Sequence, residues 1–186
     1  MACPLTKGRI EPCKDSVGGL KEVYFADFGD LDAATSGLGT NDDVDNFDST
    51  TGTVFKYDLK GNSSFEQAIT SSRENGTTFF EQTLNLTLKK LSAADNKEVK
   101  LLAYGRPQII VRDYNDNYFL VGREHGAEVT GGTIVTGAAM ADLSGYTLTF
   151  SGQETLPANF INVDSNDGST MVVGTTTLTI TSGSDF

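Results

Sequence analysis

Apolar residues fall at every second position through much of the chain, most clearly in 77–91 (TTFFEQTLNLTLKKL). There Phe80, Gln82, Leu84, Leu86 and Leu88 share one side, and Phe79, Glu81, Thr83, Asn85 and Thr87 the other. A period of two is that of a pleated strand, whose side chains alternate between faces. One face of this strand is expected to enter a core and the other to meet water or a neighbour. Shorter runs predict strands at 22–28 (EVYFADF), 53–59 (TVFKYDL), 63–70 (SSFEQAIT), 107–113 (PQIIVRD), 117–122 (NYFLVG), 127–137 (AEVTGGTIVTG), 145–154 (GYTLTFSGQE) and 170–180 (TMVVGTTTLTI). Turn-forming residues bound them.

One segment switches to helical spacing. Ser92 and Asp95 have the S-x-x-D form of a capping box, Val99, Leu102 and Ala103 give a short apolar stripe, and Gly105 with Pro107 ends the run. The spacing predicts a helix over 92–104. Strands far outnumber it, so the fold class expected is mainly β: an antiparallel β-sandwich or barrel with one short flanking α-helix. A length of 186 residues suits a single domain spanning 1–186.

Two stretches carry no periodicity. Residues 1–21, with Pro4, Pro12 and Gly18-Gly19, read as an N-terminal arm, and 29–52 (GDLDAATSGLGTNDDVDNFDSTTG) as a long interaction loop, since a segment of that length without its own structure is usually functional or disordered.

Composition narrows the partners. The formal net charge is −11, which disfavours tight binding to a phosphate backbone. No run approaches a membrane span or a secretion signal, so the cytoplasm is the default compartment and no membrane partner is expected. The sequons at Asn62, Asn75 and Asn85 therefore carry little weight. Cys3 and Cys13 are spaced so that a disulfide is permitted, but the compartment favours reduced thiols, and a zinc site built on them would need further ligands.

The candidate chemistry is sparse. Asp113, Asn115, Asn117 and Glu124 occupy positions 1, 3, 5 and 12 of a calcium loop, but Tyr118 stands where such loops need glycine, and the flanks read as strands. A β-hairpin turning at Asn115-Asp116-Asn117, at an exposed tip, explains the same letters. The acidic run Asp42, Asp43, Asp45 and Asp48 could collect a hard cation, yet reads first as a solvated loop. His125 has no nucleophile motif beside it, and no phosphate loop, dinucleotide fingerprint or placeable carboxylate pair is found. No catalytic residue, no cofactor and no enzyme activity are expected.

The order of elements, with Asp142, Gly145, Tyr146, Leu148, Thr149, Phe150 and Glu154 in the form D-x-x-G-Y-x-L-T-F-x-x-x-E, resembles the tail-tube fold of bacteriophage major tail proteins over residues 60–160. The resemblance implies a virion structural protein of the tail, assembled in the bacterial cytoplasm. Its partners would be copies of itself in stacked rings, commonly hexameric, together with other tail proteins, and DNA would pass through an acidic lumen without specific binding. It extends equally to tail terminators, head-to-tail connector rings and tubes of contractile injection systems. Under it, the arm and the loop 29–52 make contacts between rings and are mobile in an isolated subunit. The alternatives of other classes are a calcium-dependent β-sandwich binding module and, behind it, a glycan hydrolase built on buried acids.

Overall fold

The computed structural model describes residues 7–10, 13–33 and 36–183. The chain order is β1 (Leu20–Ala26), β2 (Thr51–Asp58), β3 (Ser64–Ser72), β4 (Thr77–Lys89), α1 (Ala93–Tyr104), β5 (Gln108–Asp113), β6 (Tyr118–Val121), β7 (Glu128–Val135), β8 (Gly145–Glu154), β9 (Asn159–Phe160), β10 (Ser165–Asn166), β11 (Thr170–Val173) and β12 (Thr176–Ser182). Among the described residues, twelve strands and one helix make the protein mainly β, as the alternation requires. They form an eight-stranded sheet, β10-β11-β12-β2-β1-β5-β6-β9, and a four-stranded sheet, β3-β4-β8-β7.

The two sheets face each other across a core in which Val23, Phe25, Ile109, Val111 and Val121 of the larger meet Leu84, Leu86, Tyr146, Leu148 and Phe150 of the smaller. Gln82, Leu84 and Leu86 are buried, so the apolar side of β4 is the one that enters the core. Helix α1 closes one end through Val99, with Leu91 and Leu102 partly buried against the same cluster. Ser92 caps it: the hydroxyl accepts the Asp95 N–H at 3.0 Å and donates to Asp95 Oδ2 at 2.7 Å. Asp95 thus serves the cap hydroxyl, where the longer Glu of a full capping box would reach back to the main chain.

The larger sheet is buried on its other face too. Tyr24, Val54, Ile110, Leu120, Met171, Val173, Leu178 and Ile180 curl around Leu31, Ala33, Val44 and Phe47, four residues of the segment before β2 with at most 1% exposure. The curl is tight enough that Asn166 of edge strand β10 donates to the hydroxyls of Tyr24 (2.9 Å) and Tyr118 (3.0 Å) on β1 and β6. The sheet is a partly closed barrel plugged by its own chain.

This corrects the expectation of a mobile loop at 29–52. Apolar residues are few in that stretch, but Leu31, Ala33, Val44 and Phe47 each find a place inside the curled sheet, with Leu38 partly buried against them, and backbone bridges Leu38 to Val44 and Val44 to Ile161 stitch the segment down. β2 also begins within it, at Thr51. The arm 1–21 is shorter than expected, since Leu20 already belongs to β1; residues 13–19 are exposed and without regular structure, while Cys3 and Pro4 lie outside the described residues. The single strand expected at 170–180 is a hairpin, because Gly174 turns left-handed at φ 58 and returns the chain as β12. Nor is the pairing antiparallel throughout: β12 runs parallel to β2.

The motif around β8 has a physical reading at each position. Asp142 accepts the N–H groups of Ala138 (2.9 Å) and Ala139 (2.7 Å) and so shapes the turn before the strand. Gly145 lies so close to the Leu88 carbonyl that a Cβ would overlap it. Tyr146 donates its hydroxyl to the Ser92 carbonyl, tying β8 to the start of α1. Leu148 and Phe150 enter the core, Thr149 bonds Asn85 across the outer face, and Glu154 is 4% exposed.

Candidate functional site

The segment RDYNDNYFLVGREHG folds as two halves with separate jobs. Its first half is the β5–β6 hairpin, with Tyr114 to Asn117 exposed at the tip and Asp116 left-handed at φ 61. Asp113 Oδ1 accepts the N–H groups of Asn115 and Asn117, both at 2.8 Å, and Oδ2 accepts their side-chain amides. Burial pushes the Asp113 carboxyl up, but these bonds outweigh it and hold it below the usual carboxylate range. The Asn115 amide also pairs with Val17, accepting its N–H at 2.9 Å and donating to its carbonyl at 2.7 Å. The hairpin tip thereby holds the end of the arm, and Glu124, the fourth member of the calcium pattern, lies beyond β6 in a different cluster.

That second half is the bend Gly122–Gly126, which carries the chain from the larger sheet to the smaller. Three buried side chains hold it. Gln82 Oε1 accepts the Gly122 N–H at 2.9 Å, Gln108 Nε2 donates to the Arg123 carbonyl at 2.8 Å, and Glu154 Oε1 accepts the N–H groups of Glu124 (3.0 Å) and His125 (2.9 Å). Glu154 Oε2 faces His125 Nδ1 at 3.1 Å. Both ends of the bend are left-handed glycines, at φ 69 and φ 75.

Arg123 points back under the plug. It is 8% exposed and donates from Nε to the Ala33 carbonyl (3.0 Å) and from Nη2 to the Ser36 carbonyl (2.8 Å). Hydrogen bonds to a charged donor contribute about 1.5–3 kcal/mol each and buried carbonyls left bare cost comparably. Arg123→Ala is therefore expected to lower stability by about 3 kcal/mol. Hydrogen exchange should show the extra opening concentrated in 31–47; uniform loss of protection would mean the guanidinium does not pin the plug.

The acidic run is drawn together only in part. Asn162 Nδ2 donates to both Asp43 Oδ2 and Asp45 Oδ1, and its bond holds the Asp43 carboxyl below the usual range. Asp43 Oδ1 is buried and finds no hydrogen-bond donor among the described residues. Asp42 serves through its carbonyl, which accepts from Asn159 at 2.7 Å, and Asp48 is exposed. Cys13 is a free, exposed thiol.

The sequence reading missed two clusters. One is Glu124, His125 and Glu154, whose ligand atoms lie within 4.8 Å of one another. The other is a charge network at the polar end of the plugged face. Glu22, 8% exposed, accepts from the Tyr24 hydroxyl (2.7 Å) and Arg112 (2.8 Å) and pairs with Lys56 (2.9 Å). Burial pushes the Glu22 carboxyl up, but the bonds from Tyr24, Lys56 and Arg112 prevail and bring it down to about 2.

The edges of the two sheets differ in kind. The larger sheet ends in two-residue strands, β9 and β10, whereas the smaller ends in β3 and β7, nine and eight residues long and exposed along most of their length. The outer face of the smaller sheet is mainly polar, with Ala68, Phe79 and Val135 as its apolar members. Its rows run Glu66, Thr83, Ser151, Glu128 and Asn85, Thr149, with Glu81 beside Gln153. Lys89, at the far end of β4, is the one cation among the strand residues of that face.

Comparison with protein-family models, curated proteins and solved structures finds no match to this chain.

Proposed function

We propose that the chain is a non-enzymatic virion structural protein, the subunit of a phage tail tube, which closes into stacked rings through the edges of its four-stranded sheet. The observation that carries this reading is the pair of long open edges. An uncovered strand of this length presents a row of free N–H and C=O groups, and proteins that stay monomeric blunt such edges. The larger sheet is blunted in this way and the smaller is not. β3 and β7 run in opposite directions, because successive strands alternate from one edge to the other. Copies related by rotation would therefore join β3 to a neighbour's β7 antiparallel, a heterologous contact that closes when the rotation divides the circle.

The apolar residues left on those edges favour the same joint. Ile69 on β3 is 70% exposed and Ile134 on β7 is 58% exposed, both on the core-facing side of the sheet. Closure would leave the polar face with Glu66, Glu81 and Glu128 toward the axis, where it repels phosphate and lets a genome slide.

Electron microscopy of the purified protein tests the proposal. Rings or tubes are expected, and Ile69→Lys or Ile134→Lys is expected to leave a folded monomer that no longer assembles. Monomeric, featureless particles at high concentration, also after heating or changes of salt, would overturn it.

A further inference from the structure

We propose that Glu124, His125 and Glu154 form a binding site for one divalent transition-metal ion of borderline softness, with zinc as its reference ion. The inference does not rest on the tube reading. Glu154 Oε2 and His125 Nδ1 are 3.1 Å apart. Ligands about 2.0–2.1 Å from zinc stand about 3–3.4 Å from each other, so the pair can share an ion with almost no rearrangement. The ion takes the place of the proton between them.

The cluster is preorganised. Glu154 is 4% exposed, and its Oε1 is occupied by the Glu124 and His125 N–H groups, which leaves Oε2 aimed at the imidazole. Support of this kind, a ligand fixed by hydrogen bonds on its other atom, is what orients metal ligands. The left-handed glycines at 122 and 126 hold the short turn on which both remaining donors sit. His125 is 61% exposed on its side chain and Glu124 35%, giving an ion an entry path and room for water in its remaining positions.

Charge and donor type define the ion. Two carboxylates and a neutral imidazole match a divalent charge, and among the described residues the Glu124 carboxylate is engaged only by Arg123 Nη1 at 3.8 Å, a loose contact that an ion displaces. Imidazole nitrogen suits zinc, copper and nickel, whereas calcium takes six to eight oxygens and magnesium a regular octahedron of them.

The test is calorimetric titration of zinc chloride into the full chain near neutral pH, with magnesium and calcium chlorides as comparators. One saturable zinc event per chain is expected, with affinity lowered about tenfold or more by His125→Gln and by Glu124→Gln. Magnesium and calcium should give no saturable heat. Zinc should raise the melting temperature of the native protein and not that of His125→Gln, since only an ion bound to the folded state stabilises it. Both replaced side chains reach solvent, and melting curves without metal verify that the variants fold. No saturable zinc heat would overturn the proposal. So would zinc binding undiminished in His125→Gln, or abolished instead by Cys3→Ser or Cys13→Ser.

Discussion

Glu22→Ala is expected to lower the free energy of unfolding by about 3 kcal/mol, and Glu22→Gln to remove the share of the protein's acid sensitivity that this carboxylate carries. The carboxylate stands between two cations, Lys56 and Arg112, with the Tyr24 hydroxyl as a third donor. Removing one member of a buried pair costs about 3–5 kcal/mol, because the partner's charge stays out of water. The lower end applies here, since Lys56 keeps Asp58 at 3.1 Å and Arg112 keeps Asp116 at 2.7 Å, both on exposed carboxylates. A loss of this size lowers the melting temperature of a chain this long by about 6–12 °C.

The pH dependence has a definite sign. With its carboxyl at about 2 in the folded state, against 4.5 ordinarily, Glu22 stabilises the fold fully above the unfolded value and loses that contribution as pH falls from 4.5 toward 2. The shift corresponds to about 3 kcal/mol. Chemical denaturation at a series of pH values would show the native protein weakening across that window and Glu22→Gln weakening less steeply, the remaining slope belonging to other lowered carboxyls such as Asp113; equal slopes would rule out the network as a source.

Gly122→Ala is expected to cost about 4 kcal/mol or more, which places it among the rare severe substitutions. The position is left-handed at φ 69, where an L side chain is strained by about 1–2 kcal/mol. Space adds the rest: a Cβ there would stand 2.5 Å from the Gly126 carbonyl carbon and 2.7 Å from the Ala127 nitrogen. Both are backbone atoms, so no rotamer change relieves the contact. Gly131→Ala is the control, since nothing lies within 4 Å of its added methyl and its φ is not positive. Denaturant midpoints should fall sharply for Gly122→Ala and stay near the native value for Gly131→Ala; comparable losses would show that the bend does not need its glycine.

The strands of the smaller sheet were legible through alternation, as in 77–89, those of the doubly buried larger sheet such as β5 and β6 as short continuous apolar runs, and the helix because Ser92 and Gly105 mark its ends. The hairpin at 170–182 was legible in principle, since Gly174 interrupts the run that was read as one strand. The plug was not. Leu31, Ala33, Val44 and Phe47 follow no period, and the residues that bury them are scattered over β1, β2, β5, β6, β11 and β12, from Tyr24 to Ile180. Nor could spacing reveal that Glu154 reaches the bend at 124–125, because that meeting depends on how β6 and β8 cross between sheets. The strong local motif, Asp113 to Glu124, was the one the fold divides.

The parallel pairing of β12 with β2 sets the order in which the protein can mature. Thr175 and Asn46 bond at a separation of 129 positions, and the register of β12 on β2 spans a similar distance. During synthesis, β2 emerges with one edge bare and with Leu31, Phe47 and Val54 lacking the lid that β11 and β12 provide. Closing so long a stretch of chain must precede any gain from the contact, which slows this step relative to the local hairpins. The barrel half of the molecule therefore matures last, and a nascent chain carries its four-stranded sheet before it has a finished body to mount it on.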